Sequence, residues 1–430
     1  MSKIFLKKYN IRLYPIYKIF SWDLLFYYSI IYLFLTIEKG LTPSLVLLSE
    51  AYFQLSKSIF QFPCVLLLDF LKSRKSLILA NSCTAISILI LILSNSFTLI
   101  VISNVISAIG FNIKQLCESS VLYDSIVKHK KRNHLFSKID SLSSSYYYFF
   151  DAISAIFTGF LFIVNSYIPI ILCFIFCCIS VILSFQFEDV IEDDILKNLS
   201  SNKKLKIIKK YFKDFKSILR FIVQSKRLRS LLAYSGLFTV VLTLTTSLRS
   251  ILLTEINCPE EYFGIVFAII QIIAAISSKK TNFYQNKFKN KTLTFFAFSN
   301  TFPLIFIGLC MICDLPIQII IFSITIWLTI YSITKGPFHT LIKRYLHSFV
   351  TPTVNTKIYA IQTIINSTFT TIFSFVLAYL LDVTSTSLAL IAIGFILVIL
   401  FILLLEYMKK HVGLKPDEYK KSELHYVELK

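Results

Sequence analysis

Residues 388–405 read LALIAIGFILVILFILLL, an uninterrupted run of 18 apolar residues. A helix needs about 20 mostly apolar residues to cross the hydrocarbon core of a bilayer, so this run predicts a membrane-spanning helix. Similar runs recur along the 430-residue chain, which is 56% hydrophobic and only 16% charged, with a mean hydropathy of +0.71. Soluble domains are about 45–50% apolar and about 25% charged, which excludes a soluble globular domain. The sequence therefore predicts an all-α polytopic membrane protein.

The apolar runs predict twelve spanning helices in two groups of six. A polar segment rich in Lys and Arg separates the two groups. The predicted organisation is an N-terminal six-helix bundle (residues 1–187), a cytoplasmic linker (188–228), a C-terminal six-helix bundle (229–407) and a cytoplasmic tail (408–430). The predicted spans lie near residues 19–37, 46–69, 76–94, 98–126, 139–163, 166–187, 229–253, 261–282, 292–312, 316–341, 357–381 and 386–407.

The net charge of +20 comes from 44 Lys and Arg residues against 24 Asp and Glu residues. Almost all of the basic residues fall in the N-terminus, in loops after even-numbered spans and in the C-terminal tail. The loops after odd-numbered spans contain a single basic residue, Lys39. An excess of Lys and Arg marks cytoplasmic loops, so both termini are predicted to be cytoplasmic in the inner (plasma) membrane. The basic charge thus reflects topology, and we expect no nucleic-acid partner.

The linker contains an apolar pattern at helical spacing, surrounded by lysines. This pattern predicts an amphipathic helix that lies on the anionic inner leaflet. An ordinary solvated linker helix is the alternative. The apolar positions are Leu205, Ile208, Phe212, Phe215, Leu219 and Ile222.

The cysteines and histidines indicate neither a cofactor nor a metal site. Seven of the nine cysteines lie in predicted spans and Cys313 lies at the edge of one, without the spacing of a disulfide framework or a zinc site. All six histidines lie in or near segments predicted to face the cytoplasm. No Gly-rich phosphate-binding loop is present. We therefore expect no enzyme activity; an integral membrane transferase is the alternative.

Ionisable residues are costly inside a bilayer, so they usually face the interior of a bundle or water. Glu50 and Lys57 in span 2, Lys114 and Glu118 in span 4, and Asp151 in span 5 lie at such depths. We predict that these five residues line a cavity and couple transport to protons. The alternative is that Glu50 pairs with Lys57, and Lys114 with Glu118, only to stabilise the fold.

The other polar side chains at membrane depth are mostly neutral. We predict that they line a substrate cavity, although such stripes also serve as contacts between helices. Carboxylates concentrate in the first half, which suggests that one half handles protons while the other shapes the substrate pocket. The predicted cavity residues are Asp23, Tyr27, Gln54, Gln271, Tyr359, Gln362 and Asn366.

Three short segments carry a resemblance to a known family. Residues 61–76 (QFPCVLLLDFLKSRKS) resemble the loop 2–3 signature of the major facilitator superfamily, with matches at Asp69, Arg74 and Lys75. Val65 and Lys72 stand where that signature has glycines. Residues 118–125 (ESSVLYDS) are similar to a stretch common in span 4 of bacterial members, and residues 261–265 (EYFGI) to the start of span 8.

The resemblance implies a transporter that alternates access between the two sides of the membrane. It also implies a cytoplasmic gate formed by Asp69, Arg74, Lys75 and Asp124, which stabilises the outward-open form. From the 15% aromatic content and the scattered acids, we expect proton-coupled efflux of a small amphipathic molecule or drug, including cationic compounds. The alternatives are proton-coupled uptake of a small polar metabolite and a transport-inactive scaffold or sensor. The expected partners are a small-molecule substrate, protons and the lipid bilayer, with the protein as a monomer.

Overall fold

A computed structural model of the chain describes residues 8–21, 23–71, 73–126, 132–188, 215–279, 281–288, 291–349, 352–409 and 412. Within these residues the protein is helical, and none of them forms a strand. The helices are α1 (Lys8–Ser21), α2 (Ile31–Leu33), which continues as a π-helix (Phe34–Glu38), α3 (Pro43–Phe70), α4 (Ser73–Leu93), α5 (Phe97–Ser125), α6 (Arg132–Val164), α7 (Tyr167–Gln186), α8 (Lys226–Glu255), α9 (Glu260–Lys279), α10 (Thr281–Phe288), α11 (Thr292–Ile312), α12 (Ile317–Phe349), α13 (Pro352–Val383) and α14 (Thr386–Lys409).

Ten of the described helices are long and apolar enough to cross a membrane, namely α4 to α9 and α11 to α14. This confirms the prediction of an all-α polytopic membrane protein, whereas the count of twelve spans stays a prediction. Helix α3 coincides with the predicted second span and carries Glu50 and Lys57.

The predicted first span, residues 19–37, is wrong as a single helix. Helix α1 ends at Ser21, and the chain makes turns before α2 begins at Ile31. Phe26 adopts a φ of 63°, a left-handed conformation that ends a regular helix. The Asp23 carboxylate accepts a hydrogen bond from the Leu24 backbone N–H at 2.9 Å, which satisfies a donor that the break leaves outside the helix.

The single basic residue of the predicted outward loops has a defined structural role. The Lys39 ammonium donates to the carbonyl oxygens of Ile92 at 3.0 Å and Ser94 at 2.9 Å, at the C-terminus of α4. It also lies 5.3 Å from the ring centroids of both Phe34 and Tyr167. A cation at a helix C-terminus satisfies the last carbonyls and complements the helix dipole. Lys39 therefore fixes the π-helix to α4 and α7.

The described part of the linker is helical over residues 215–224. Ile218 and Ile222 are buried, while Leu219 and Val223 are exposed. One apolar face thus packs within the protein, and a second remains open. The other predicted positions, Leu205, Ile208 and Phe212, lie outside the described residues.

The contacts divide the chain into two compact units. Unit 1 comprises Met1–Leu41, Tyr52–Tyr211 and Pro259–Ala268; unit 2 comprises Thr42–Ala51, Phe212–Cys258 and Ile269–Lys430. The division of the sequence at residues 188–228 stays a prediction, because most of that linker lies outside the described residues.

The core of unit 1 joins α1, α4 and α5 through Tyr14, Tyr17, Leu77 and Ile113. The core of unit 2 is aromatic: the Phe238 and Phe338 ring centroids lie 4.3 Å apart, and Tyr234 stacks on Phe238 at 6.0 Å. Both cores position polar side chains of the spanning helices toward the interior of their own unit.

Candidate functional site

Helix α1 presents a buried polar face to the interior of unit 1. Asn10, Tyr14, Tyr17, Lys18 and Ser21 recur at helical spacing and all are buried. The side chain of Lys18, only 3% exposed, forms a salt bridge with Asp140 of α6. The Tyr14 hydroxyl donates to the same carboxylate at 3.1 Å. A buried ammonium is therefore held by a charged partner 122 residues away in the sequence.

Glu118 of α5 is the second carboxylate of this region and is half-buried. The Ser21 hydroxyl donates to it at 3.3 Å. The charges of Lys18 and Lys114 both act on Glu118, as does that of Asp140. We call Lys18, Lys114, Glu118 and Asp140 the charge cluster. It contains two cations and two carboxylates, so a proton bound to either carboxyl group changes its net charge.

Neutral hydrogen bonds hold α1 in place around the charge cluster. Asn81 of α4 donates to the Tyr17 hydroxyl at 2.8 Å. Asn10 donates to the Ser125 hydroxyl and to the Glu188 carbonyl, both at 3.0 Å, and accepts from the Glu188 N–H at 2.9 Å. Burial, followed by the charges of Glu118 and Asp140, raises the pKa of the Tyr14 hydroxyl well above its usual value. Tyr14 therefore stays a neutral donor toward Asp140.

The predicted residues Lys57 and Lys114 meet at one aromatic ring. Their ammonium groups lie 5.8 Å and 5.0 Å from the Phe111 ring centroid, within cation–π range. Lys57 also lies 5.6 Å from the Phe53 ring. The structure thus brings α3 and α5 together here, and Lys114, which is 4% exposed, links this ring to Glu118.

Asp151 and Asp23 form a separate acidic region. Asp151 is buried on α6, and the charges of Asp151 and Asp23 both act on Tyr147. Tyr27 packs against Tyr28, another aromatic neighbour of Tyr147, with centroids 5.2 Å apart. Tyr147 and Asp151 are therefore both buried on α6, whereas other aromatic residues of this helix, such as Phe149 at 64% exposure, point outward.

The remaining predicted cavity residues are spread over both units. Glu50 and Gln54 are half-buried on α3, but Glu50 belongs to unit 2 and Gln54 to unit 1. In unit 2, Gln362 donates to the Ser235 hydroxyl at 2.8 Å, which connects α13 to α8. Half-buried side chains complete this set: Gln271 on α9, and Tyr359 and Asn366 on α13.

Unit 2 has a cationic site that the sequence pattern did not predict. Arg249 of α8 is 3% exposed. The Tyr331 hydroxyl is 3.1 Å from that of Thr246. The Lys335 ammonium lies 5.7 Å from the centroid of the Tyr331 ring.

The described half of the predicted cytoplasmic gate lies at the start of α4. Arg74 donates to the Phe185 carbonyl oxygen at 2.6 Å, near the end of α7. Arg74 and the exposed Lys75 line a cavity of about 380 Å³ with Ile78 and Phe185. The side chains of Asp69 and Asp124 lie outside the described structure, so the gate stays a prediction.

Lys18 and Asp140 were missing from the predicted site. Lys18 lies just before the predicted first span, where a lysine is expected to act only as a topological charge. The polar spacing of Asn10, Tyr14, Tyr17 and Ser21 on one helical face was the signal that could have found it.

A family model described as Major Facilitator Superfamily matches residues 16–345. No curated protein matches the chain. Solved structures with a similar fold include the nucleoside transporter NupG, with a TM-score of 0.70, 10% identity and coverage of 94% of this chain and 99% of that one. A D-xylose-proton symporter gives a TM-score of 0.68 at 11% identity, with coverage of 98% and 100%. A POT family transporter in complex with 5-aminolevulinic acid gives 0.65 at 12% identity, with coverage of 94% and 96%.

Proposed function

Because the chain belongs to the major facilitator superfamily, we propose that it is a proton-coupled secondary active transporter that works by alternating access. The family and the transporter fold indicate a transporter rather than an enzyme. In alternating access, one bundle moves against the other around a site near the middle of the membrane. We propose the inner membrane as its location, with both termini cytoplasmic, from the distribution of Lys and Arg.

The observation that carries the proton coupling is the charge cluster of unit 1. Glu118 interacts with two cations, Lys18 and Lys114, and with a second carboxylate, Asp140. When Glu118 binds a proton, it loses the negative charge that attracts these two ammonium groups, and the electrostatic balance of α1, α5 and α6 changes. A conformational change can be driven in this way, because each protonation state favours a different arrangement of the charges. Asp151, in the separate acidic region, is the second candidate proton carrier.

The experiment uses proteoliposomes that contain the full chain and a pH-sensitive dye. Compounds are added outside, and proton movement is recorded; the panel contains xylose, uridine, dialanine and the amphipathic dye ethidium. We expect at least one class of compound to move protons with the wild-type protein. A protein that moves neither protons nor compounds, with or without a pH gradient, would instead fit a scaffold or sensor.

The role of Glu118 is tested with Glu118→Gln, and that of Asp151 with Asp151→Asn. For the true proton carrier we expect loss of gradient-driven accumulation but survival of simple exchange of labelled compound. Glu406→Gln is the matched control, because Glu406 is an exposed carboxylate at the end of α14. If both site variants still accumulate compound against its gradient, neither residue carries the proton.

Efflux of a small amphipathic molecule is the direction that the sequence favours, since the chain is 15% aromatic. Uptake of a small polar metabolite is the second candidate, supported by the similarity of the fold to that of a D-xylose-proton symporter. In proton-coupled uptake, the compound and the protons cross the membrane in the same direction (symport). In proton-coupled efflux, they cross it in opposite directions (antiport). Internal pH therefore distinguishes them: symport acidifies the compartment that gains the compound, and antiport acidifies the compartment that loses it.

A further inference from the structure

Two basic side chains lie where a pair of spanning helices meets the membrane surface. Arg74 and Lys75 are in the first turn of α4, and Phe185 is in the last turn of α7. The two helices pack against each other, and the Arg74 guanidinium donates to the Phe185 carbonyl oxygen at 2.6 Å. Since spanning helices begin and end near the membrane surface, these side chains lie at the boundary between lipid and water.

A cavity lies between these two helix ends. It has a volume of about 380 Å³, and the described side chains that line it are Arg74, Lys75, Ile78 and Phe185. Ligand pockets usually have a volume of about 300–1,000 Å³, so this cavity can hold a small polar headgroup. Its described lining combines two cations with two apolar side chains and contains no carboxylate. The cavity therefore suits a ligand that is anionic at one end and apolar at the other.

The apolar surface of both helices continues from the cavity into the depth of the membrane. On α4, Leu79, Ile86 and Leu93 are exposed at intervals of seven residues. On α7, Ile182 and Ile175 are exposed at the same interval. Residues seven positions apart lie on one face of a helix, so each helix carries an apolar stripe that begins within one turn of the cavity. Such a stripe on a spanning helix contacts the acyl chains of the lipid.

We propose that this cavity binds the phosphate of an anionic phospholipid, whose acyl chains lie along α4 and α7. Basic pockets between spanning helices on the cytoplasmic side bind anionic headgroups, and the orientation proposed above places the start of α4 on that side. Lys75 is the main ligand, because its side chain is exposed and reaches the headgroup region. Arg74 has five N–H donors, so it can contact a phosphate oxygen while it holds the Phe185 carbonyl and other partners.

Binding is tested on the purified full chain in detergent by native mass spectrometry, which resolves the protein with different numbers of bound lipids during a titration. Dioleoyl phosphatidylglycerol is anionic, whereas dioleoyl phosphatidylcholine has the same acyl chains and no net charge. Glycerol 3-phosphate has an anionic phosphate without acyl chains. We expect the wild-type protein to bind phosphatidylglycerol about fivefold more tightly than phosphatidylcholine, or better, and to bind glycerol 3-phosphate more weakly than phosphatidylglycerol.

The variant Lys75→Gln should raise the Kd for phosphatidylglycerol by about fivefold, the usual effect of removing one basic residue from an anionic membrane surface. Lys75→Glu should abolish the preference over phosphatidylcholine, and Lys75→Arg should retain it. Lys409→Gln is the matched control, because Lys409 is an exposed lysine at the end of the spanning helix α14; its Kd should be that of the wild type. Arg74→Gln should weaken binding as Lys75→Gln does. If Arg74→Gln does not fold, the three variants at the exposed Lys75 carry the test.

Three results would overturn the proposal. Equal binding of the two lipids by the wild-type protein is the result expected if Arg74 and Lys75 serve only the predicted gate. A preference for phosphatidylglycerol that survives Lys75→Glu would place the lipid elsewhere on the protein. Binding of glycerol 3-phosphate as tightly as phosphatidylglycerol would assign the cavity to a soluble phosphate compound. The titrations use neither a transported compound nor a gradient, so they are independent of the transport proposal.

Discussion

The salt bridge between Lys18 and Asp140 is the contact of the charge cluster whose energy can be predicted from the structure. Asp140→Asn removes the charge but keeps an oxygen that accepts from Tyr14. The Lys18 side chain is 3% exposed and would stay buried without its carboxylate. Breaking a buried pair in this way costs about 3–5 kcal/mol. Because Asp140 itself is 34% exposed, water screens part of the interaction, and we expect a loss of about 2 kcal/mol.

The assay is unfolding of the protein in mixed micelles by increasing SDS, followed by circular dichroism. Lys18→Met and the double variant complete a double-mutant cycle with Asp140→Asn. We expect the double variant to be less destabilised than the sum of the two single variants, by about 1–2 kcal/mol, because the pair is lost only once. Glu406→Gln, at an exposed carboxylate, should change stability by less than about 0.5 kcal/mol. Additive effects, or a stable Asp140→Asn variant, would show that the salt bridge does not hold α1 to α6.

Three further substitutions test contacts elsewhere, each measured by the same unfolding assay. Lys39→Met removes the charged hydrogen bonds to the last carbonyls of α4 and should lower the free energy of unfolding by about 2–3 kcal/mol. A decrease below about 0.5 kcal/mol would contradict the capping role of Lys39. Gly264→Ala should lower the free energy of unfolding by at least about 1–3 kcal/mol, because the added Cβ would lie 2.0 Å from the Ala155 carbonyl oxygen. If the stability of this variant is unchanged, α6 and α9 pack less closely than the structure shows. Asn10→Ala removes three hydrogen bonds of a buried side chain and should cost about 2–3 kcal/mol, whereas a neutral effect would mean that Asn10 does not help to hold α1.

The charge balance of the two units also bears on how transport and coupling are divided. The carboxylates at membrane depth concentrate in the first half of the sequence, and the structure shows two of them, Glu118 and Asp140, beside Lys18. In the second half, Arg249 is 3% exposed, and the Lys335 ammonium lies 5.7 Å from the centroid of the Tyr331 ring. We propose proton binding in the first half, and the variants Glu118→Gln and Asp151→Asn test it.

The sequence by itself determined the membrane character and the helical class. The free energy of transferring each residue into lipid adds up along a run such as residues 388–405, so local composition is sufficient to identify a span. Helical periodicity is equally local, which is why Lys114 and Glu118, four residues apart in one span, could be proposed as a pair before any contact was known.

Only the tertiary structure decided which of these groups meet. The pairing of Lys18 with Asp140 and the capping of α4 by Lys39 join positions that are distant in sequence and lie on different elements. The break in the predicted first span was also missed, because an apolar composition is compatible with a turn wherever neighbouring groups satisfy the freed backbone. Transfer energies act on single residues, whereas these features depend on which helices pack together.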